Sequence, residues 1–259
     1  MIVDSQKKFS RVDILGIQFS ALDLASAVGL VSTMIENGQR GYVCVCPVST
    51  IMACQEDKKF LDIVNSADLV TLDGMPSVWI ARAKGLKNVG RVYGPDLMLA
   101  ICELSQPRGY KHYFYGSTRE TLDKLIDHLK LKFPKLKISG SFSPPFRKAT
   151  VTEDEEVVER INRANPDFLW VGLGSPKQDF WIYEHRDRIN ASVMLAVGAA
   201  FDFIAGTKPQ APKWMQRSGL EWLFRLCCEP KRLWRRYLIG NTMFIFLLMK
   251  EFIRSGFRK

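Results

Sequence analysis

The chain has 259 residues, 47% hydrophobic and 25% charged, the usage of an ordinary globular protein, which excludes a disordered chain, a collagen-like repeat and a polytopic membrane protein. That length buries a core without disulfide or metal staples, and the six cysteines, at 44, 46, 54, 102, 227 and 228, match neither a zinc ribbon nor a secreted disulfide framework, so they read as reduced, mostly buried thiols. The net charge is +10, yet residues 208–259 hold twelve Lys or Arg against three Asp or Glu, so nine of the ten charges sit in the last fifth of the chain.

The N-terminus, MIVDSQKKFSRVDILGIQF, has no basic segment followed by an apolar run and a small-residue cleavage site, which predicts a cytoplasmic protein. Short β-rich runs then alternate with segments of helical spacing. GYVCVCP from Gly41 is followed by Thr50 to Ser66, LVTLD from Leu69 by Pro95 to Leu104, and KHYFYG from Lys111 by Thr118 to Phe133. KISGSF from Lys137 precedes Glu153 to Ala164, DFLWVGLG from Asp167 precedes Pro176 to Ile189, and VMLAVG from Val193 closes the series. The alternation predicts an α/β, Rossmann-like, mostly parallel sheet with helices on both faces. Thr152 with Glu155 reads as a capping box and Pro176 as a first-turn proline. The acidic run from Glu153 to Glu156 then reads as a solvated first turn favoured by the helix dipole.

After Gly206 the composition changes, so residues 1–206 are expected to form the α/β core and 207–259 a basic, Trp-rich helical appendage. Arg225, Lys231, Arg232, Arg235 and Arg236 lie there among Trp214, Trp222 and Trp234. The apolar stretch from Tyr237 to Met249 is too short to span a bilayer, which takes about 20 residues. Arginine and tryptophan beside an apolar helix suit a peripheral contact with an anionic membrane surface, with Trp234, Arg236, Phe244 and Leu247 as the lipid-facing set. A helix docked on the sheet with a solvated basic face is the equal alternative.

Three strand ends can carry chemistry. VGLGSPKQ is a strand, a glycine turn and a helix start, where Gly172 and Gly174 can bring backbone N–H groups to an anion or merely permit a tight turn. VGAAFD places Asp202 after a strand to accept a hydroxyl hydrogen bond, and LVTLDG puts Asp73 at a strand end, although Asp-Gly is also a common turn dipeptide. The three histidines, 112, 128 and 185, have no metal-ligand or triad spacing, and no Asp-x-Asp pair is present, so a phosphate leaving group would need arginine instead of metal.

The runs LDGMPSVW, RVYGPDLM, VGLGSPKQDFW, VGAAFDFIAG and APKWMQRSGLEWLFRLCCEPKRLWRRYL resemble, in order and spacing from about Val12 to Leu238, the WecG/TagA/CpsF glycosyltransferases of bacterial surface polysaccharide synthesis. The resemblance implies an inverting, metal-independent enzyme with no cofactor. Such an enzyme moves a hexose from a UDP-sugar to a polyprenyl-diphosphate-linked acceptor in exopolysaccharide or cell-surface polysaccharide synthesis, at the cytoplasmic face of the inner membrane. It further implies Asp73 as general base, with Arg91, Gln178 and Asp202 around the nucleotide sugar. Arg225, Arg232 and Arg235 correspond by spacing to arginines that close on the donor diphosphate. Members often carry Thr-x-Asn at the end of the second strand, where this chain has Val45, Cys46 and Pro47, so UDP-glucose and a UDP-N-acetylmannosamine-like donor both stay open. A dinucleotide-dependent oxidoreductase is the rival enzyme reading, but GxGxxG and a placed ribose acid are missing. A nucleic-acid-binding protein using the basic tail is the nonenzymatic rival, distinguished by steep salt dependence; nucleic acid is not the expected partner, and a homo-oligomer stays open.

Overall fold

The computed structural model describes residues 9–147 and 149–256. An antiparallel hairpin, β1 (Arg11–Ile14) and β2 (Ile17–Ser20), precedes α1 (Leu24–Glu36). Strand β3 (Gly41–Cys46) leads through α2 (Val48–Glu56) and α3 (Lys58–Asn65) to β4 (Leu69–Leu72), and α4 (Met75–Ala83) with α5 (Gly94–Arg108) crosses to β5 (Lys111–Gly116). Then come α6 (Arg119–Lys132), β6 (Lys137–Phe142), α7 (Val151–Ala164), β7 (Phe168–Gly172), α8 (Lys177–His185) and β8 (Val193–Ala196). The tail holds α9 (Ala200–Ile204), α10 (Lys213–Arg217), α11 (Glu221–Cys228), α12 (Pro230–Trp234), a π-helical turn (Arg235–Ile239) and α13 (Gly240–Gly256).

Strands β3 to β8 form one parallel sheet in the order β4-β3-β8-β7-β5-β6. Side chains alternate between faces along each strand. Tyr42, Cys44 and Cys46 accordingly join one core with Val70, Leu169 and Met194. Val43 and Val45 join the other with Phe114, Trp170 and Leu195. Burial on both faces is why β3, β4, β7 and β8 read as apolar runs, whereas the edge strand β6 is only partly buried. Two carboxylates fix where strands begin: Asp68 accepts from the Tyr42 N–H at 2.9 Å and Asp167 from the Lys111 N–H at 2.7 Å. His112 is a core residue, its Nδ1 accepting from Trp170 Nε1 at 2.9 Å in a cluster with the rings of Phe168 and Trp170. Cys44, Cys46, Cys54 and Cys102 are buried free thiols, whereas Cys227 and Cys228 are exposed.

The structure differs from the sequence expectation in four local places. The β1–β2 hairpin was not anticipated; its two-residue turn puts Leu15 (φ 52°) and Gly16 (φ 83°) both in the left-handed region, as a type I′ turn requires. The helix expected over Thr50 to Ser66 is two, because Asp57 takes an extended conformation and caps α3 by accepting from the Phe60 N–H at 3.1 Å. The capping box is Thr150 with Glu153, one of two overlapping Thr-x-x-Glu matches. That earlier start lets Asp154 bond His185 and Arg188 at 2.7 Å each, tying α7 to α8 and its following turn. Pro176 is the residue preceding α8, not its first turn.

The tail turns Leu233, Tyr237 and Phe244 inward. Helix α13 packs against α2. Phe244, expected to face lipid, is only 4% exposed and belongs to the core, with Leu247 packed partly buried beside it. The apolar side chains that α13 and the π-helical turn direct outward are others: Leu238, Ile239, Met243, Phe246 and Met249 are all exposed. Among the described residues no helix is long and apolar enough to cross a membrane.

Candidate active site

A cleft of about 870 Å³ opens at the carboxyl ends of β3, β4, β5, β7 and β8 and is covered from above by α11, α12 and α13. This is where an open parallel sheet presents loop backbone and helix N-termini to a ligand. Asp73, Arg91, Gly172, Gly174, Gln178, Asp202, Arg225 and Arg232 all line it, although they come from opposite ends of the chain. Arg235 does not; its guanidinium lies over the Trp234 ring, 5.2 Å from the centroid, and borders a smaller cavity beside α2. Arg236, placed by the sequence reading in the lipid-facing set, is exposed but also lines the cleft and the smaller cavity, donating to Ser49 Oγ. Trp234 is exposed.

Asp73 follows β4 directly. Its side chain is 16% exposed, but Oδ1 is screened from solvent and has no hydrogen-bond partner. Burial pushes its carboxyl up to about 6, with Arg91 pulling down, Glu221 pushing up, and Arg225 and Arg236 pulling down in turn. Arg91 is held away from Asp73, its Nη2 4.0 Å from Oδ1, because three other groups claim the guanidinium. Nε donates to the Asp73 carbonyl, Nη2 pairs with Glu221, and Nη1 reaches Gln216 Oε1 at 3.4 Å. The same guanidinium stacks over Tyr93, 4.0 Å from its centroid. Arg91 therefore ties the β4 edge to α10 and α11 of the tail. A carboxyl that lines the cleft beside a fixed cation and is raised to about 6 is suited to accept a proton from a bound hydroxyl.

The glycine turn after β7 is built for close packing as much as for ligand. A Cβ on Gly172 would sit 2.6 Å from the Phe201 ring, and Gly174 has φ +81°. The Gly174 N–H donates to Gln178 Oε1 at 3.1 Å, so the Gln178 amide holds the turn in shape while lining the cleft. Asp202 pairs with Lys208 at 2.9 Å and Arg232 with Glu229 at 2.6 Å. Arg225 lies over the Phe203 ring, 5.3 Å from its centroid. Glu221, Gln216, Tyr93 and Lys208 were missed in the sequence because their part depends on contacts across more than a hundred residues or on a fold-made neighbour, whereas Ser49, in the loop after Pro47 that the sequence offered for donor contacts, does line the cleft. Asp179, also missed, is buried beneath the glycine turn with Oδ2 unpartnered, and burial raises its carboxyl to about 6.

A sequence profile of the Glycosyl transferase WecG/TagA/CpsF family matches residues 12–258. The chain belongs to that family. It is a glycosyltransferase, and the rival enzyme and nonenzymatic readings give way to that class. Among its relatives is an N-acetylglucosaminyldiphosphoundecaprenol N-acetyl-beta-D-mannosaminyltransferase of Bacillus spizizenii, 26% identical over 223 residues, covering 86% of this chain and 84% of the relative. A protein of the same name from Staphylococcus aureus strain NCTC 8325 is 26% identical over 258 residues, covering 99% of this chain and 100% of the relative. Both relatives are thus matched over nearly their whole length.

Proposed function

We propose that this glycosyltransferase moves one hexose from a UDP-sugar to a sugar carried on a polyprenyl diphosphate, with inversion at the anomeric carbon. The observation that carries the reading is the Asp73 carboxylate, raised to about 6 by burial, lining one cleft with arginines 91, 225, 232 and 236. The Asp73 carboxylate takes the proton of the acceptor hydroxyl as its oxygen attacks the anomeric carbon from the side opposite the nucleotide. The bond to the diphosphate oxygen breaks in the same displacement, and UDP leaves with the negative charge. Arg225, Arg232 and Arg236 meet that charge, where guanidinium forks suit phosphate oxygens. One carboxylate suffices for inversion, since no covalent sugar intermediate needs a second.

Arg91, through Glu221 and Gln216, couples the base to the tail that carries the arginines, so closure of the tail and completion of the site go together. Residues 1–206 then act as the sugar-transfer core, and 207–259 as a cover whose outward Leu238, Ile239 and Met249 meet a membrane surface on its cytoplasmic side. Acceptors of the relatives' named kind, N-acetylglucosamine on diphosphoundecaprenol, would be presented there. The test is a screen of UDP-glucose, UDP-N-acetylmannosamine and UDP-N-acetylglucosamine against that lipid-linked acceptor, with the product read by mass. Extension of the acceptor by one sugar residue with one of these donors is expected; no extension with any donor, in detergent or in liposomes, contradicts the reading.

A further inference from the structure

The cleft has two chemically distinct halves. Around Asp73 it is charged, but the half that runs between α4 and α13 is apolar. Pro76, Trp79 and Ile80 stand three and four residues apart on α4, so they share one face; Phe244, Ile245 and Leu248 do the same on α13. Both faces line the cleft that contains Asp73, and the α4 face begins one helical turn beyond that residue. At the far end of α4, Lys84 Nζ bonds both Glu251 of α13 and the Asp13 carbonyl at 2.7 Å each, which holds the two helices at their spacing.

The walls are formed in advance. Trp79 is 46% exposed yet fixed, because its ring rests against Gly219, where an added Cβ would lie 2.8 Å from the indole. Ile245, 57% exposed, forms the opposite rim. The diphosphate and sugar of a nucleotide sugar gain little from aliphatic walls, and its planar base can stack on the Trp79 ring but leaves Ile80, Ile245 and Leu248 without an apolar partner. The other substrate under the proposed function, on which the choice of occupant rests, joins its sugar and diphosphate to a hydrocarbon chain. From Asn241 to Leu248 the α13 wall is about 10 Å long at 1.5 Å per residue, enough for the start of that chain and not for all of it.

We propose that the apolar arm between α4 and α13 binds the first isoprene units of the acceptor's prenyl chain, so that the enzyme recognises the lipid directly as well as the sugar. The diphosphate then lies at the junction of the two halves, within reach of the arginines. The rest of the chain leaves past Trp79 and Ile245.

Calorimetric titration of the full chain, with UDP present, with isopentenyl, geranyl, farnesyl and geranylgeranyl diphosphate tests this without any transfer reaction. Each unit buried in the arm should tighten binding by about tenfold, with the gain levelling off once the chain projects beyond the rim. Ile245→Asn and Trp79→Ser should flatten the series while UDP still binds. A flat series in the unaltered protein overturns the proposal. So does a trend abolished as fully by Phe246→Ser on the outward face of α13, which would mark adhesion to that surface. A clear trend in a protein that extends no acceptor would leave the arm standing and sink the proposed function, whereas extension without the trend would do the reverse.

Discussion

Asp73 must be deprotonated to act and is placed where deprotonation is costly. Its carboxyl is raised from 3.8 to about 6 by burial, only partly offset by Arg91, Arg225 and Arg236. For a base, the ionised fraction sets the rate, so kcat/KM should rise with pH up to about 6 and level off above it. The sign for stability is opposite: the folded protein holds that proton more tightly than the unfolded chain, so protonating Asp73 stabilises the fold as pH falls from about 6 towards 4. Asp73→Asn keeps size and polarity but cannot take a proton. It should retain UDP binding, lose turnover by about a hundredfold or more, and lose the acid limb of the profile. Near-normal turnover in that variant would remove Asp73 from the mechanism. His112, by contrast, is pushed down to about 3 by burial and donates nothing to the cleft, so it should contribute no limb to the same profile.

Elements explain why residues of similar sequence context part ways. From Arg232, both Arg235 and Arg236 lie at helical spacing, three and four positions on, and the sequence alone cannot choose between them. Arg236, in the π-helical turn from Arg235 to Ile239, lines the cleft as well as the smaller cavity beside α2, whereas Arg235 borders only the latter. Arg236→Ala should therefore cut kcat by about tenfold to a hundredfold, since it removes a donor to the leaving diphosphate, while Arg235→Ala should stay within about threefold of the unaltered enzyme. Steady-state kinetics on both variants decide it, and equal losses would show that the turn does not select between them. Most strands of the parallel sheet were legible because burial on both faces leaves an apolar run bounded by turn residues; the edge strand β6, KISGSF, is only partly buried and was read from its place in the strand–helix alternation. The β1–β2 hairpin was not, because its strands have four residues each and its turn uses Leu15 where Asn, Asp or Gly would have signalled it. In α13 apolar residues point in every direction, so nothing in the pattern told Phe244, which is buried, from Phe246, which is not.

Across the whole molecule the site is assembled from two ends of the chain, and that is what the sequence conveys least. Asp73 and Asp202 were legible at strand ends, and Arg91 and Gln178 through the family resemblance, but Glu221 and Gln216 became part of the site only through Arg91, more than a hundred residues away. Removing residues from Glu229 onward should leave the parallel sheet intact, since its last strand ends at Ala196. It also strips Leu233, Tyr237 and Phe244 from the core. Burial of each such side chain is worth about 1.5–3 kcal/mol, so the truncated protein should melt roughly ten degrees lower or more, lose transfer, and no longer sediment with anionic liposomes. Full activity and unchanged sedimentation after truncation would reduce the tail to a docked structural helix. The central claim is a single displacement driven by one carboxylate, and the configuration of the new bond reports on it most directly. Nuclear magnetic resonance of the product formed from an α-linked UDP-sugar should show a β-linked sugar residue on the acceptor; an α-linked product would require a second displacement, and with it a nucleophile that contradicts this account.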